Sequence, residues 1–256
     1  PLTVATKIMD DGSIKKRLVL DLSRCVNLAL ASDDFKMVTL QDAINATREG
    51  SYQLVFDLKS AFLHIRLHSS CNELMGFKVD REDGQVVYYC FVVLVFGLKV
   101  ASQVLGRVLK PLCVFLIQNG VPVIVYIDDG LVVGPSKEKA ERRFRLALDV
   151  LGKAGFLVSL EKSSRPGDAT KCIQFLGVDI NSDAMCVSAS AGKIAKLREF
   201  IARVVETRRS MPVKHLASLV GKLNSLEPAF GAAILVGTRI VAIQVNVTAQ
   251  QFGWVK

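Results

Sequence analysis

The chain has little of what many functional classes require. It has one Trp and three His among its 256 residues, and its six Cys are scattered. No stretch reaches the roughly 18 unbroken apolar residues of a membrane span. The run YYCFVVLVFGL is about half that length and ends at Lys99. The cysteines, at 25, 71, 90, 113, 172 and 186, show neither zinc-knuckle nor redox-pair spacing. Most lie in apolar runs, so they read as small core residues of a reducing compartment. His64 and His68 are four apart, but the stretch between them is not clearly helical, and packing explains them better than metal binding. GPSKEK and RPGDATK lack the glycine–lysine–hydroxyl spacing of a nucleotide-binding Walker loop. No repeat or low-complexity tract is visible. The chain opens at Pro1, without Met or signal peptide, and reads as a piece of a longer polypeptide.

What is present is apolar and basic. Half of the residues are hydrophobic and the mean hydropathy is +0.34, so a sizeable core is expected. Lys and Arg exceed Asp and Glu by 33 to 24, a net charge of +9. Such a balance favours polyanions, either nucleic acid or an anionic membrane surface. Charge alone fits an ordinary basic protein equally well.

Hydrophobic periodicity gives an α+β order. RLVLDL (17–22) predicts a strand after the basic cluster Lys15-Lys16-Arg17, and 35–48 a helix. YQLVFD is a short strand stopping at Asp57. LMGFKVD and VVYYCFVVLVF predict a hairpin turning at Asp83-Gly84. Residues 99–119 predict a helix kinked or broken at Pro111. VPVIVYIDDGLVVG reads as strand, tight turn, strand, and 136–154 as an amphipathic helix with Phe144, Leu148 and Leu151 on its apolar stripe. GFLVSLEKS and IQFLGVDI read as two further strands. A helix capped by Ser190 and another starting at Ser210 and Pro212 suggest a helical C-terminal part.

The chemistry centres on carboxylates. Asp-Gly between apolar strands is first of all a hairpin signal. Two adjacent anions at such a tip repel one another and lose hydration. A hard divalent cation relieves both costs. Asp57 ends another apolar strand, where a lone Asp is usually a cap or turn former. If the two strands are neighbours, Asp57, Asp128 and Asp129 converge, and two metal ions about 4 Å apart can be shared between them. One ion would activate a primer hydroxyl, and the other would neutralise a triphosphate and its leaving pyrophosphate.

The ordered segments RLVLDLS, VFDLKSAF, VFGLKVAS, YIDD, LEKS and FLG resemble the motifs of retroelement reverse transcriptases over nearly the whole chain. The opening PLTVATK…KKRLVLDLSRCVN and the late SLVGKLNSLEPAFG are most similar to DIRS-like retrotransposons of the tyrosine-recombinase kind. The resemblance implies a right-hand polymerase, α+β, with an antiparallel palm sheet and a helical thumb. Fingers, truncated at the N-terminus, would span 1–49 and 64–98. The palm would span 50–63 and 99–185, and the thumb with the start of a connection 186–256. It implies two Mg²⁺, with Mn²⁺ as a substitute, on Asp57, Asp128 and Asp129. Phe62 would be the steric gate against a ribose 2′-hydroxyl. Ser60 and Ala61 would offer backbone N–H groups to the triphosphate, and Arg17 a forked guanidinium. Phe96 and Gly97 would shape the nucleotide pocket. Lys162 would protonate the leaving pyrophosphate, and Phe175, Leu176 and Gly177 would grip the primer. Lys193, Lys196 and Arg203 would meet the duplex backbone in a salt-sensitive way. Plainer accounts exist for several of these: a solvated charge for Arg17, a surface lysine beside Glu161 for Lys162, a core strand for FLG, a wet helix face for the thumb.

The partners implied are an RNA or DNA template with its primer and deoxynucleoside triphosphates, in cytoplasm or nucleus and away from membranes. The end near FGWVK comes too early for a ribonuclease H region. Two positions depart from the pattern. Val95 stands where proline is expected, and Ala101-Ser102 replaces a small residue followed by proline. Proline there would fix the backbone beneath the nucleotide. These departures motivate an alternative, a decayed nucleic-acid-binding remnant of a mobile element. An RNA-copying RNA polymerase shares the carboxylates, but Phe62 argues against it.

Overall fold

The computed structural model describes residues 2–8, 14–31, 35–206, 213–224, 226 and 229. The elements run β1 (Leu2–Ile8), β2 (Ile14–Leu20), α1 (Val26–Ala29), α2 (Leu40–Ala46), β3 (Tyr52–Asp57), β4 (Gly76–Asp80), β5 (Val86–Cys90) and α3 (Ala101–Gln118). There follow β6 (Val123–Tyr126), β7 (Asp129–Gly134), α4 (Lys137–Lys153), β8 (Cys172–Phe175), β9 (Val178–Asn181), β10 (Cys186–Ala189), α5 (Ala191–Glu206) and α6 (Val213–Asn224). They fall into two compact units. The first comprises residues 1–39, 55–132 and 141–167, and the second 40–54, 133–140 and 168–256.

In the first unit β1 and β2 form an antiparallel ribbon in which Leu2 faces Leu20 and Ala5 faces Arg17. β6 and β7 pair antiparallel, Val123 with Val132 and Tyr126 with Asp129. In the three-stranded sheet β7 lies between β3 and β6. That central place explains why Gly130 to Gly134 are all buried and why LVV is a run rather than an alternation. Phe56 on β3 is buried and meets the ring of Phe144 on α4 at 6.4 Å. α4 buries Ala140, Phe144, Ala147 and Leu151, spaced by four, three and four residues as one helical face requires.

The second unit is tied by buried polar groups. Gln53, fully buried, donates through Nε2 to the carbonyls of Lys171 and Ile180. Ser182 Oγ donates to Ser51 O at 2.6 Å, with Lys171 O at 3.1 Å beside the same proton. β9 pairs antiparallel with both β8 and β10. Ser190 Oγ accepts from Lys193 N, the expected cap of α5. Phe200 of α5 meets His215 of α6 edge-on at 6.4 Å. Ser210 and Pro212 lie outside the described residues.

Several expectations are corrected. The helix expected over 35–48 is only Leu40–Ala46. α3 continues through Pro111 without a break, since only one intrahelical bond is lost there and the flanking apolar turns still bury Leu105, Leu109 and Leu116. β5 stops at Cys90, well short of Phe96. GFLVSLEKS is not a strand; only Val158 bridges, to Leu58. IQFLGVDI is two strands, β8 and β9, because Leu176 and Gly177 both take positive φ (48° and 77°) and reverse the chain. The cysteines are not core residues: Cys25, Cys90, Cys172 and Cys186 are exposed, and Cys71 and Cys113 half-buried. Apolar neighbours did not decide the burial of Cys90, Cys172 and Cys186, because alternate strand positions face opposite sides.

Candidate active site at the β6–β7 turn

The acidic turn is not where the Asp-Gly signal put it. Tyr126 pairs with Asp129, so the two-residue loop is Ile127-Asp128, and Asp129 and Gly130 already belong to β7. Ile127 takes φ 58°. A β-branched residue there is strained by about 1–3 kcal/mol, a cost typical of functional turns. Gly130 serves packing instead: a Cβ on it would lie 2.1 Å from Phe56 Cζ.

Asp57 ends β3 beside this turn. Leu58 N donates to Asp128 O at 2.7 Å, which fixes the two acidic positions as backbone neighbours. The opposite flank of β3 is satisfied by residues 157–164. Lys59 N donates to Leu157 O and Ser159 N to Asp57 O. Asp57 N and Val55 N donate to the hydroxyls of Ser163 and Ser164 at 3.0 Å. The serines thus supply acceptors that a paired strand would otherwise provide. Their turn carries Lys162, whose ammonium is ion-paired with Asp57 Oδ1.

The charges of Asp128 and Asp57 act on Asp129. Asp129 has its pKa raised from 3.8 to about 6, first by burial, then by the charges of Asp128 and Asp57, with Lys162 opposing. Among the described residues no group of three or more His, Cys, Asp or Glu side chains stands as a ready metal cage. The donor set nonetheless suits a hard cation, since Mg²⁺ commonly uses one or two carboxylates and completes its shell with water and phosphate. Asp57 and Asp128 fit that requirement, and Asp129 adjoins Asp128 in sequence at the start of β7.

Both line a cavity of about 670 Å³, together with Lys15, Lys16, Arg17, Lys59, Ser60, Ala61, Phe62, Phe96, Ser102, Glu161 and Lys162. Five cations and the carboxylates of Asp57, Asp128 and Glu161 therefore share one cleft. Ser60 takes the left-handed conformation and starts a tight helical turn, Ala61–His64. A left-handed residue followed by a helical one turns successive N–H groups to one side, the geometry of an anion nest. Phe62 is buried and meets Phe96 edge-on at 5.0 Å, and the Arg17 guanidinium lies 5.4 Å from the Phe96 ring centre. Gly97, at φ 102°, has no room for a side chain: a Cβ would fall 1.9 Å from Leu20 O. Leu20 N in turn donates to Phe96 O.

The structure therefore brings Arg17, Asp57, Ser60, Ala61, Phe62, Phe96, Asp128 and Lys162 to one cavity. Val95 is buried and lines it too. Phe175, Leu176, Gly177, Lys193, Lys196 and Arg203 belong to the second unit. There Lys193 Nζ donates to Leu176 O at 3.4 Å, and Arg203 Nη2 lies 3.9 Å from Glu199. Sequence reasoning missed Asn27, whose amide accepts from Lys99 N and donates to Gly97 O, both at 2.8 Å. It lies in the SRCVN segment, where no periodicity marked it. No role was read for Lys59, Ser163 or Ser164 either. Lys15 and Lys16 showed only as a charge cluster.

Residues 8–180 match the family described as "Reverse transcriptase (RNA-dependent DNA polymerase)". A putative enzymatic polyprotein of Cassava vein mosaic virus is 25% identical over 231 residues, which is 88% of this chain and 32% of that protein. The Gag-Pol polyprotein of Rous sarcoma virus subgroup B (strain Schmidt-Ruppin) is 29% identical over 195 residues, 73% of this chain and 11% of that protein. The chain thus spans a third or less of these curated relatives. Among solved structures, a foamy viral protease-reverse transcriptase in complex with double-stranded DNA superposes with a TM-score of 0.66 at 20% identity, covering 87% of this chain and 35% of that one. The foamy viral protease-reverse transcriptase in complex with an RNA/DNA hybrid gives 0.62 at 19% identity, covering 87% and 27%. At such identity these likenesses speak for the fold.

Proposed function

The chain belongs to the reverse transcriptase family, and from that premise we propose that it is the polymerase portion of a retroelement enzyme, adding deoxynucleotides to a primer 3′ end on an RNA or DNA template. Its intracellular site of action would be cytoplasm or nucleus. The observation that carries the reading is the 2.7 Å bond from Leu58 N to Asp128 O, which sets Asp57 beside the strained acidic turn at the floor of a cationic cavity. Fingers at 1–49 and 64–98, palm at 50–63 and 99–185, and thumb from 186 to 256 are the division this reading assigns. The DIRS-like opening and late segments make such a retrotransposon the source it favours.

Asp57 and Asp128 would hold two Mg²⁺, or Mn²⁺, with Asp129 assisting. When bound, the ions would supply Lewis acidity toward the primer hydroxyl and neutralise phosphate charge. The chain's own residues do the rest. Arg17, Lys15, Lys16 and Lys59 supply charge to a triphosphate. The N–H groups at Ser60 and Ala61 turn toward its oxygens. The Phe62 ring, braced by Phe96, fills the space a ribose 2′-hydroxyl would need. Lys162 stands within reach of departing phosphate and can donate a proton there. Phe175, Leu176 and Gly177 would hold the primer strand, and Lys193, Lys196 and Arg203 would follow the duplex backbone.

Primer extension with Mg²⁺ on a defined template, wild type against Asp128→Asn, tests this. Loss of a charged metal ligand should lower extension at least about a hundredfold, the scale of one transition-state charge contact. Equal extension by the two proteins at every metal concentration would leave only a nucleic-acid-binding remnant.

A further inference from the structure

Lys162 and Asp57 form the one ion pair recorded for the three acidic residues among the described residues. The two partners differ sharply in freedom. The Asp57 side chain is 9% exposed, and both its backbone groups are held, the N–H by Ser163 Oγ and the carbonyl by Ser159 N. The Lys162 side chain is 48% exposed and opens on the same cavity. Any exchange at the Asp57 oxygen therefore moves the lysine and leaves the carboxylate in place. Asp57, Asp128 and Asp129 against the one ammonium of Lys162 sum to −2, so the group attracts a divalent cation, and that cation and the ammonium repel one another at the same carboxylate.

We propose that Lys162 is a metal-displaceable counterion: its ammonium neutralises Asp57 until a divalent ion takes that oxygen, and the freed side chain then turns to phosphate in the same cavity. This rests on the polymerase reading of the site and adds an order to it, metal before the lysine–phosphate contact. Lys162 has a half-exposed side chain on a turn pinned at Ser159 and Ser163, so the swing needs side-chain rotation only. The cation loses part of its binding energy to evicting the lysine. Deleting the ammonium must therefore tighten metal binding, the reverse of what removing a residue that helps hold the metal would do.

The test is calorimetric titration of the whole chain with Mn²⁺ alone, without nucleotide. Lys162→Met should bind Mn²⁺ about three- to tenfold more tightly than wild type, the range of a half-buried ion pair. Lys162→Arg, which keeps the pair, should stay near wild type. In EDTA the Met variant should melt below wild type, and saturating Mn²⁺ should close that gap. Unchanged or weaker Mn²⁺ binding by Lys162→Met overturns the proposal; Lys162→Gln serves the same purpose if the Met variant does not fold. Asp57→Asn separates the two levels. If it leaves Mn²⁺ binding intact, Asp57 is no ligand, and the metal reading falls together with the counterion.

Discussion

Replacing Asp129 by Asn removes one anion from the cluster with almost no change of shape, so it isolates the cost of holding that charge. The carboxyl has its pKa raised from 3.8 to about 6, by burial first and by Asp128 and Asp57 next. A raised carboxyl means that the folded chain binds this proton more tightly than the unfolded chain. Its stabilising contribution is therefore complete below 3.8 and is lost as pH rises through about 6. A difference of about two units corresponds to about 3 kcal/mol. Asp129 is only part-buried, and solvent screening reduces this to about 1–2 kcal/mol. Urea unfolding in EDTA should then find Asp129→Asn more stable than wild type by about 1–2 kcal/mol at pH 8, with the gap closing by pH 4. Saturating Mg²⁺ should reverse the order at pH 8, because the ion stabilises the charged wild type. A gap of equal size at both pH values, or an Asn variant less stable at pH 8 in EDTA, would refute the reasoning.

Gly130→Ala drives a methyl into the Phe56 ring, which Phe144 and the sheet hold in place. It should cost about 1–3 kcal/mol in thermal or urea unfolding; a neutral variant would mean that Phe56 moves freely. Phe62→Ala opens the wall braced by Phe96 and should raise ribonucleotide incorporation relative to deoxynucleotide by about tenfold or more, the scale of one filled or emptied contact. A wild type that already prefers ribonucleotides would defeat the deoxynucleotide assignment. The loss of extension in Asp128→Asn and the tighter Mn²⁺ binding of Lys162→Met complete the set, and they probe the carboxylates from opposite directions.

Some of this was legible along the chain because the forces are local. The short apolar run YQLVFD marked β3 and its terminal Asp57. The charge pattern of 136–154 marked α4 to within a residue or so of its ends. Ser190 announced the cap of α5. The errors came where a distant partner decides. Asp-Gly is the better turn dipeptide, yet the turn fell on Ile127-Asp128, because Gly130 is needed opposite the Phe56 ring and Asp129 pairs with Tyr126. LVSLEKS has strand composition, yet the hydroxyls of Ser163 and the following Ser164 meet the N–H groups of β3 and its backbone turns.

The sequence by itself determined the residue types and their order: three carboxylates closing or bending apolar strands, a basic opening, an aromatic five residues after Asp57. Those follow from local periodicity and charge, which need no knowledge of what lies across the fold. Only the tertiary structure decided that Asp57 and Asp128 are neighbours, that Phe96 stands between Arg17 and Phe62, and that Lys162 sits on Asp57. Each of those contacts joins residues tens of positions apart, and chain closure over such distances is set by the packing of the sheet as a whole.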